Sequence, residues 1–184
     1  MTDDDPMSTP PVGLTDAELR EGLYACLAVR RWVDEVSAQA PFGSLLELMD
    51  VAAAAGSPLS PDEVEEAMAH HPRIGEKVTG HSTSQALSRA EQQASASDDE
   101  ALAAALAAGN EAYEQKFGRV FLIRAAGRSR AEILTELERR LELDPDAELG
   151  IVGVELLDIA LSRIPQLFGH LDAHSGYDES DAAR

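Results

Sequence analysis

Helix-start signals recur along this chain and constrain its fold more than any other feature. At five expected helix starts a serine or threonine is followed three residues later by glutamate: Thr15 with Glu18, Ser44 with Glu47, Ser60 with Glu63, Ser97 with Glu100, and Ser129 with Glu132. In such a pair each side chain bonds the backbone N–H of the other residue, which satisfies donors that a helix start leaves unpaired. No stretch shows the alternation of apolar and polar residues typical of a sheet. The sequence therefore predicts an all-α fold, a single compact domain of six to eight helices.

Apolar spacing and chain-breaking residues give the expected boundaries. The first helix begins at Thr15, and further helices are expected at about 30–39, 44–55, 60–70, 84–94, 97–117, 129–143 and 147–168. The short apolar run RVFLIRAA, residues 119–126, is expected to be either an extended segment or a buried linker. The domain is expected to span residues 14–169, between a disordered N-terminal tail at 1–13 and a flexible C-terminal tail at 170–184.

Charge and cysteine content narrow the function classes. The net charge of −19 argues against attraction to nucleic acid or to an anionic membrane. No apolar run approaches the roughly 18 residues that a membrane span needs, and the acidic N-terminus shows no secretion signal. The single cysteine, Cys26, cannot form an internal disulfide, and its apolar neighbours favour a place in the core. A cytoplasmic protein is therefore expected.

A local reversal of charge stands out against this acidic background. Residues 116–130, KFGRVFLIRAAGRSR, contain five basic side chains and no acid. One interpretation is a pocket for a small ligand that carries a carboxylate, and the other is pairing of these arginines with the many surrounding acids. Arg128 directly precedes the helix start at Ser129, where free backbone N–H groups favour an anion, so the pocket is the preferred interpretation at this position.

The stretch HHPRIGEK, residues 70–77, supplies the second candidate site. Adjacent helix residues point about 100° apart, so His70 and His71 are not expected to share a role. These histidines and His81 have no spacing typical of metal ligands, and no paired carboxylate motif accompanies them, so no metal is expected. From the residues alone, a histidine at a helix end is either structural or catalytic. Glu91, one turn after Ser88, is equally either a solvated acid or part of a site.

Three motifs together resemble a known enzyme family. They are H-P-R-I-G at 71–75, S-R-A-E-Q at 88–92, and N-E-A-Y-E-Q-K-F-G…F-L-I-R-A-A-G-R-S…E-I-L from 110 to 134. Their order and spacing resemble the 2-oxo-4-hydroxy-4-carboxy-5-ureidoimidazoline (OHCU) decarboxylases over roughly residues 15–168. The resemblance implies a cofactor-free, all-α enzyme, often a homodimer, that converts OHCU to (S)-allantoin and carbon dioxide. It also implies coupling to the upstream enzymes of urate breakdown, which oxidise urate and hydrolyse hydroxyisourate.

The resemblance also implies roles for particular residues. His71 matches the catalytic histidine of the family, and Glu91 matches its acidic partner. Ser88 and Arg128 match positions that contact the ligand, and Pro72 matches a residue beside the substrate ring. The family also has a stretch whose backbone contacts the substrate, and the residues of this chain that match it are Phe121, Leu122, Ile123, Arg124 and Ala125. This chain departs from the family just before that stretch, where Arg119-Val120 replaces a more apolar Phe-Pro pair.

Two alternatives to this function remain open at the level of sequence. The first is a non-enzymatic helical module that binds a small anion or a partner protein, since that needs only the basic segments and the acidic surface. The second is a decarboxylase or hydrolase that acts on a related ureido acid, because the motifs indicate the chemistry better than they indicate the ring.

Overall fold

Seven helices are bounded, and no strand is found, in the part of the chain that the computed structural model describes, residues 14–69, 71, 83, 86, 87 and 100–169. The helices are α1 (Asp16–Cys26), α2 (Arg30–Ser37), α3 (Leu45–Ala55), α4 (Pro61–Met68), α5 (Glu100–Phe117), α6 (Arg130–Leu141) and α7 (Pro145–Phe168). The predicted all-α class is therefore confirmed. Most of the helix predicted at 84–94, the predicted cap at Ser97 and both predicted tails lie outside the described residues.

The helix starts follow the capping residues that the sequence indicates. Thr15, Ser60 and Ser129 each form a complete capping box with the glutamate three residues later. Ser44 caps α3 by accepting a hydrogen bond from the backbone N–H of Glu47 at 3.2 Å. The start of α7 is two residues earlier than predicted, because the Asp144 carboxylate caps the helix and the proline that follows suits the first helical position.

Three helices end two residues earlier than predicted, at Ser37, Met68 and Leu141. After each of these ends the chain continues as a tightened turn, in which a backbone N–H bonds the carbonyl three residues earlier. Such bonds run from Ala40 to Ser37 at 3.1 Å and from His71 to Met68 at 3.1 Å. These turns satisfy carbonyl groups that a helix end leaves free, so the apolar pattern continues beyond the α-helix itself.

The buried side chains form two clusters. The larger cluster joins α1, α2, α3, α4 and α7, and it contains Trp32, whose Nε1–H donates to the Ala52 carbonyl at 2.8 Å. Cys26 is only 1% exposed in this cluster, which confirms its predicted place in the core. The smaller cluster lies between α5, α6 and the segment after α5, and its buried members are Leu106, Tyr113, Phe117, Phe121, Ile123, Ala125, Ile133 and Leu137.

The last helix, α7, is the central element of the larger cluster, where it contacts α1, α3 and α4. Its buried face includes Val152, Leu156 and Ile159, and two glutamates, Glu148 and Glu155, lie on this face as well. Within the described residues, no helix combines the length and the apolar character that crossing a membrane requires.

Candidate active site

The segment between α5 and α6, residues 118–129, joins the two clusters. It contains no helix, and Phe121, Leu122, Ile123 and Ala125 are all buried. Leu122 belongs to the larger cluster, whereas the other three belong to the smaller one. The run predicted to be either extended or a buried linker is therefore a buried non-helical segment with side chains in both clusters.

A buried ion pair holds the first half of this segment. Arg140 of α6 and Glu148 of α7 are both fully buried, and Arg140 Nε lies 2.8 Å and 3.0 Å from the two carboxylate oxygens. Arg140 also donates from Nη1 to the Leu122 carbonyl at 2.7 Å, and its guanidinium carbon lies 4.8 Å from the centroid of the Phe121 ring. The Tyr113 hydroxyl donates to Glu148, and burial together with this hydrogen bond raises the pKa of Tyr113. Arg140 therefore fixes the Leu122 carbonyl from inside the core.

A second buried carboxylate holds the other half. Glu155 accepts a hydrogen bond from the backbone N–H of Arg124 at 2.7 Å and another from Nη1 of Arg128 at 3.2 Å. Between these two residues the chain turns, with the Arg128 N–H donating to the Ala125 carbonyl at 3.0 Å. Gly127 occupies this turn with φ of 81°, a conformation that disfavours other residues. One carboxylate therefore ties both ends of a five-residue turn to α7.

The arginines of the basic segment are largely paired. Arg119 Nη2 lies 3.1 Å from the Glu65 carboxylate, and Arg128 pairs with Glu155. Arg128 therefore has an acidic partner, as the pairing interpretation expects. Within the described residues Glu155 pairs with Nη1 of its guanidinium, the side chain remains 36% exposed, and the anion pocket preferred at this position stays a prediction. The start of α6, next to Arg128, already has an acidic partner. Glu132 accepts hydrogen bonds from the backbone N–H and the hydroxyl of Ser129, and these bonds lower the pKa of Glu132.

Arg119 has an unusual environment within the described residues. Its Nε and Nη1 atoms are buried and have no hydrogen-bond partner there. Only Nη2 is paired, with a glutamate side chain that is 58% exposed. This arginine stands where the resembled family has a more apolar residue, so the departure seen in the sequence coincides with poorly satisfied polar atoms.

His71 lies just after the end of α4, and its ring is oriented by the backbone. Its Nδ1 is 3.1 Å from the Ala67 carbonyl oxygen. A carbonyl can only accept, so this contact assigns the ring proton to Nδ1 and leaves the lone pair of the neutral ring on Nε2. Nε2 is buried and His71 as a whole is half-buried. This tautomer gives His71 the electronic form that a general base requires.

The predicted site residues are described only in part. The residues of the segment, Phe121 to Ala125 and Arg128, are brought together by the buried acids of α7 and by Arg140. Pro72, Ser88 and Glu91 lie outside the described residues, so the pairing of His71 with Glu91 stays a prediction. No group of three or more histidine, cysteine, aspartate or glutamate side chains that could hold a metal occurs in the described ranges.

The two glutamates that hold the segment are not among the site residues predicted from the sequence. Glu148 and Glu155 are seven residues apart, and Val152 and Ile159 lie on the same face of α7. Positions seven apart on a helix share a face, so two acids within an apolar stripe are a readable signal of buried carboxylates with partners. Their partners, Arg140 and the turn at 124–128, come from other parts of the chain.

Known proteins resemble this chain in both sequence and fold. The sequence model of the OHCU decarboxylase family matches residues 13–165. The uric acid degradation bifunctional protein TTL of Arabidopsis thaliana is 36% identical over 106 residues, which are 56% of this chain and 33% of that protein. The match thus spans about a third of the length of this curated relative.

Two solved structures share the arrangement of helices. A crystal structure of OHCU decarboxylase in the presence of (S)-allantoin has a TM-score of 0.68 and 27% identity, and the match covers 81% of this chain and 98% of that one. A crystal structure of (S)-allantoin synthase has a TM-score of 0.59 at 17% identity, covers 84% of this chain and 51% of that one, and supports the fold alone. The family model matches most of the chain, from three residues before α1 into the last turn of α7, and the chain belongs to the OHCU decarboxylase family.

Proposed function

We propose that this protein decarboxylates OHCU to (S)-allantoin and carbon dioxide in urate breakdown. The observation that carries the proposal is the family match over residues 13–165, which includes His71 and the whole segment 118–129. The geometry supports it, because the Ala67 carbonyl holds the ring of His71 in one tautomer, which suits proton transfer, and Glu155 holds Arg128, which suits an anionic substrate.

The chemistry asks little of the protein beyond positioning and proton transfer. The substrate carbon that loses carbon dioxide carries a hydroxyl group and neighbours a C=N bond. When the C–C bond to the carboxylate breaks, its electron pair flows into that C=N bond, so the substrate supplies its own electron sink. The nitrogen of that bond takes up a proton from solvent, which compensates for the negative charge left when carbon dioxide departs. The protein must in addition take the proton of the hydroxyl, which becomes a carbonyl, and deliver one proton to a single face of the carbon of the former C=N bond.

We assign His71 to the hydroxyl proton, with Nε2 as the accepting atom. The contact between Nδ1 and the Ala67 carbonyl holds the ring in the tautomer that can accept at Nε2. Glu91 is the proposed acidic partner that tunes the charge of the histidine, and Pro72 the residue beside the ring. Ser88 and Arg128 are proposed to hold the ring and the carboxylate, since a guanidinium binds carboxylates through two parallel hydrogen bonds.

Three finer features belong to the same proposal. The protein acts in the cytoplasm, it forms a homodimer, and it receives its substrate from enzymes that oxidise urate and hydrolyse hydroxyisourate. The single buried cysteine is consistent with a reducing compartment. Sedimentation velocity over a range of protein concentrations tests the dimer, and a single monomeric species throughout contradicts it.

A circular dichroism time course tests the activity. OHCU is generated in situ from urate by the two upstream enzymes, and this protein is then added. We expect rapid growth of the (S)-allantoin signal, its loss in His71→Ala, and a strong reduction in Glu91→Gln. His70→Ala is the matched control, since it removes the neighbouring histidine and is expected to keep turnover.

Two results contradict the proposal in different ways. A signal that grows no faster than spontaneous, racemic decay refutes the decarboxylase activity and favours a helical module that binds an anion or a partner. Normal turnover in His71→Ala or Glu91→Gln leaves the reaction in place but refutes the assigned roles.

A further inference from the structure

We propose that Glu155 of α7 is a positioning residue for the substrate, which acts by holding Arg128 in place through one buried carboxylate. This inference rests on the proposed function, because it takes Arg128 as the group that binds the substrate carboxylate. It adds a residue that lies 27 positions from Arg128 in the sequence and that no motif of the segment includes.

The carboxylate of Glu155 uses each oxygen for a different part of the turn. Oε2 accepts from the backbone N–H of Arg124 at 2.7 Å, and Oε1 accepts from Nη1 of Arg128 at 3.2 Å. The first bond fixes where the turn begins, and the second fixes where the side chain at its end points. Hydrogen bonds to an ionised group are stronger than those between neutral groups, so this tie restricts both the backbone and the guanidinium.

Burial makes a purely stabilising role a poor explanation for this acid. Glu155 is 7% exposed and shares its helix face with Val152 and Ile159. Removing a carboxylate from water costs several kcal/mol, and replacing a buried ion pair by apolar residues of similar volume is often neutral or stabilising. An apolar side chain would therefore serve the core at least as well, whereas only an acid can hold both the Arg124 N–H and the Arg128 guanidinium.

The tie leaves Arg128 able to bind a carboxylate. A guanidinium has five N–H donors, and Glu155 engages Nη1. The edge formed by Nε and Nη2 is the one that can grip both oxygens of a carboxylate, and the side chain is 36% exposed. Glu155 thus fixes one part of the guanidinium, and within the described residues no side chain is hydrogen-bonded to the edge formed by Nε and Nη2. The arginine can therefore meet the substrate without first losing rotamer freedom.

Steady-state kinetics of Glu155→Gln test this inference. Glutamine keeps the size of the side chain and an oxygen for the Arg124 N–H, but it removes the charge that holds Arg128. We expect KM for OHCU to rise about tenfold, the scale of one charge-assisted hydrogen bond, while kcat stays within about twofold because His71 is untouched. Asp158→Asn is the matched control, since it removes an exposed acid from the same helix and is expected to change neither constant.

A double-mutant cycle shows whether Glu155 acts through Arg128. Arg128→Met alone is expected to raise KM strongly, and adding Glu155→Gln to it is expected to change kcat/KM little further, because the residue being positioned is already gone. Multiplicative losses in the double variant overturn the inference, as does a Glu155→Gln enzyme with the kinetic constants of Asp158→Asn.

Two further measurements cover the cases in which kinetics cannot decide. If Glu155→Gln does not fold, Glu155→Asp takes its place, because it keeps the charge but withdraws the carboxylate from the turn, and the same rise in KM is expected. If the wild-type protein shows no turnover, the proposed function fails. Hydrogen exchange in residues 121–128 then tests whether Glu155 holds the turn in place. Slow exchange of the Arg124 amide that becomes fast in the variant supports the tie, whereas equal exchange in both proteins overturns it.

Discussion

Replacing Arg140 with methionine should destabilise this protein more than almost any other single change. The side chain is fully buried, pairs with a fully buried Glu148, and bonds the Leu122 carbonyl. Removing one member of a buried ion pair costs about 3–5 kcal/mol, because the other charge stays in the core without compensation. The orphaned carbonyl adds to this cost, while the apolar methionine regains a little burial, so we expect a loss of about 4 kcal/mol.

Urea unfolding measures this loss with two probes. Far-ultraviolet circular dichroism follows the helices, and fluorescence follows the single tryptophan, Trp32, which is buried in the larger cluster. In a domain of this size, 4 kcal/mol corresponds to a fall in Tm of about 10 °C. Arg139→Met is the matched control, since its ion pair with Glu136 is exposed to solvent and should contribute little to stability.

A second variant separates the charge effect from a general packing defect. Arg140→Met combined with Glu148→Gln removes the uncompensated charge and keeps an acceptor for the Tyr113 hydroxyl, so it should regain at least half of the lost stability. A loss below about 1 kcal/mol in Arg140→Met would show that the ion pair does not support the segment. A double variant no more stable than the single one would refute the charge argument.

Three further predictions test separate parts of the structure. The hydrogen bond from Arg31 lowers the pKa of Glu63 from 4.5 to about 2. The ion pair therefore stabilises the fold above pH 4.5, and its contribution is lost as the pH falls towards 2. Urea titrations should show Glu63→Gln about 1 kcal/mol less stable than the wild-type protein at pH 7, with the difference vanishing in acid. Arg119→Met should stabilise the protein by about 1 kcal/mol in the same assay, because two buried donors that have no partner among the described residues cost more than one partly exposed ion pair returns. A destabilised variant would contradict this. Gly127→Ala and Gly118→Ala should each lower the stability of the fold by about 1–2 kcal/mol, since both glycines have positive φ and open space at Cβ. Only Gly127→Ala should also raise KM. Equal kinetic effects of the two substitutions would argue against a special role for the turn at Gly127.

Local signals in the sequence predicted the helix starts well. A capping box is made by residues three positions apart, so Thr15, Ser60 and Ser129 carry their partners with them, and the structure confirms each start. The predicted ends of three helices were two residues too late, because the chain continues after each helix in a tightened turn that keeps the apolar spacing. The membership of the OHCU decarboxylase family, inferred from three short motifs, is confirmed as well.

Contacts between distant parts of the chain could not be predicted in the same way. The basic segment suggested both an anion pocket and pairing with acids, and only the fold shows that Glu155 reaches Arg128 across 27 positions. Likewise, the apolar positions around Glu148 in α7 indicate a buried acid, but its partner, Arg140, can be identified only from the three-dimensional structure. The apolar run at 119–126 was too short to distinguish an extended segment from a linker.

The segment 118–129 is shared by both hydrophobic clusters, with Leu122 in one and Phe121, Ile123 and Ala125 in the other. Neither cluster can open without disturbing it, so a molecule that binds this segment is thermodynamically linked to the unfolding of the whole domain. A ligand at one hundred times its Kd stabilises a native protein by about 2.7 kcal/mol. Thermal-shift measurements with stable compounds such as allantoin can therefore detect occupancy of this site, and rank ligands for it, without the short-lived substrate.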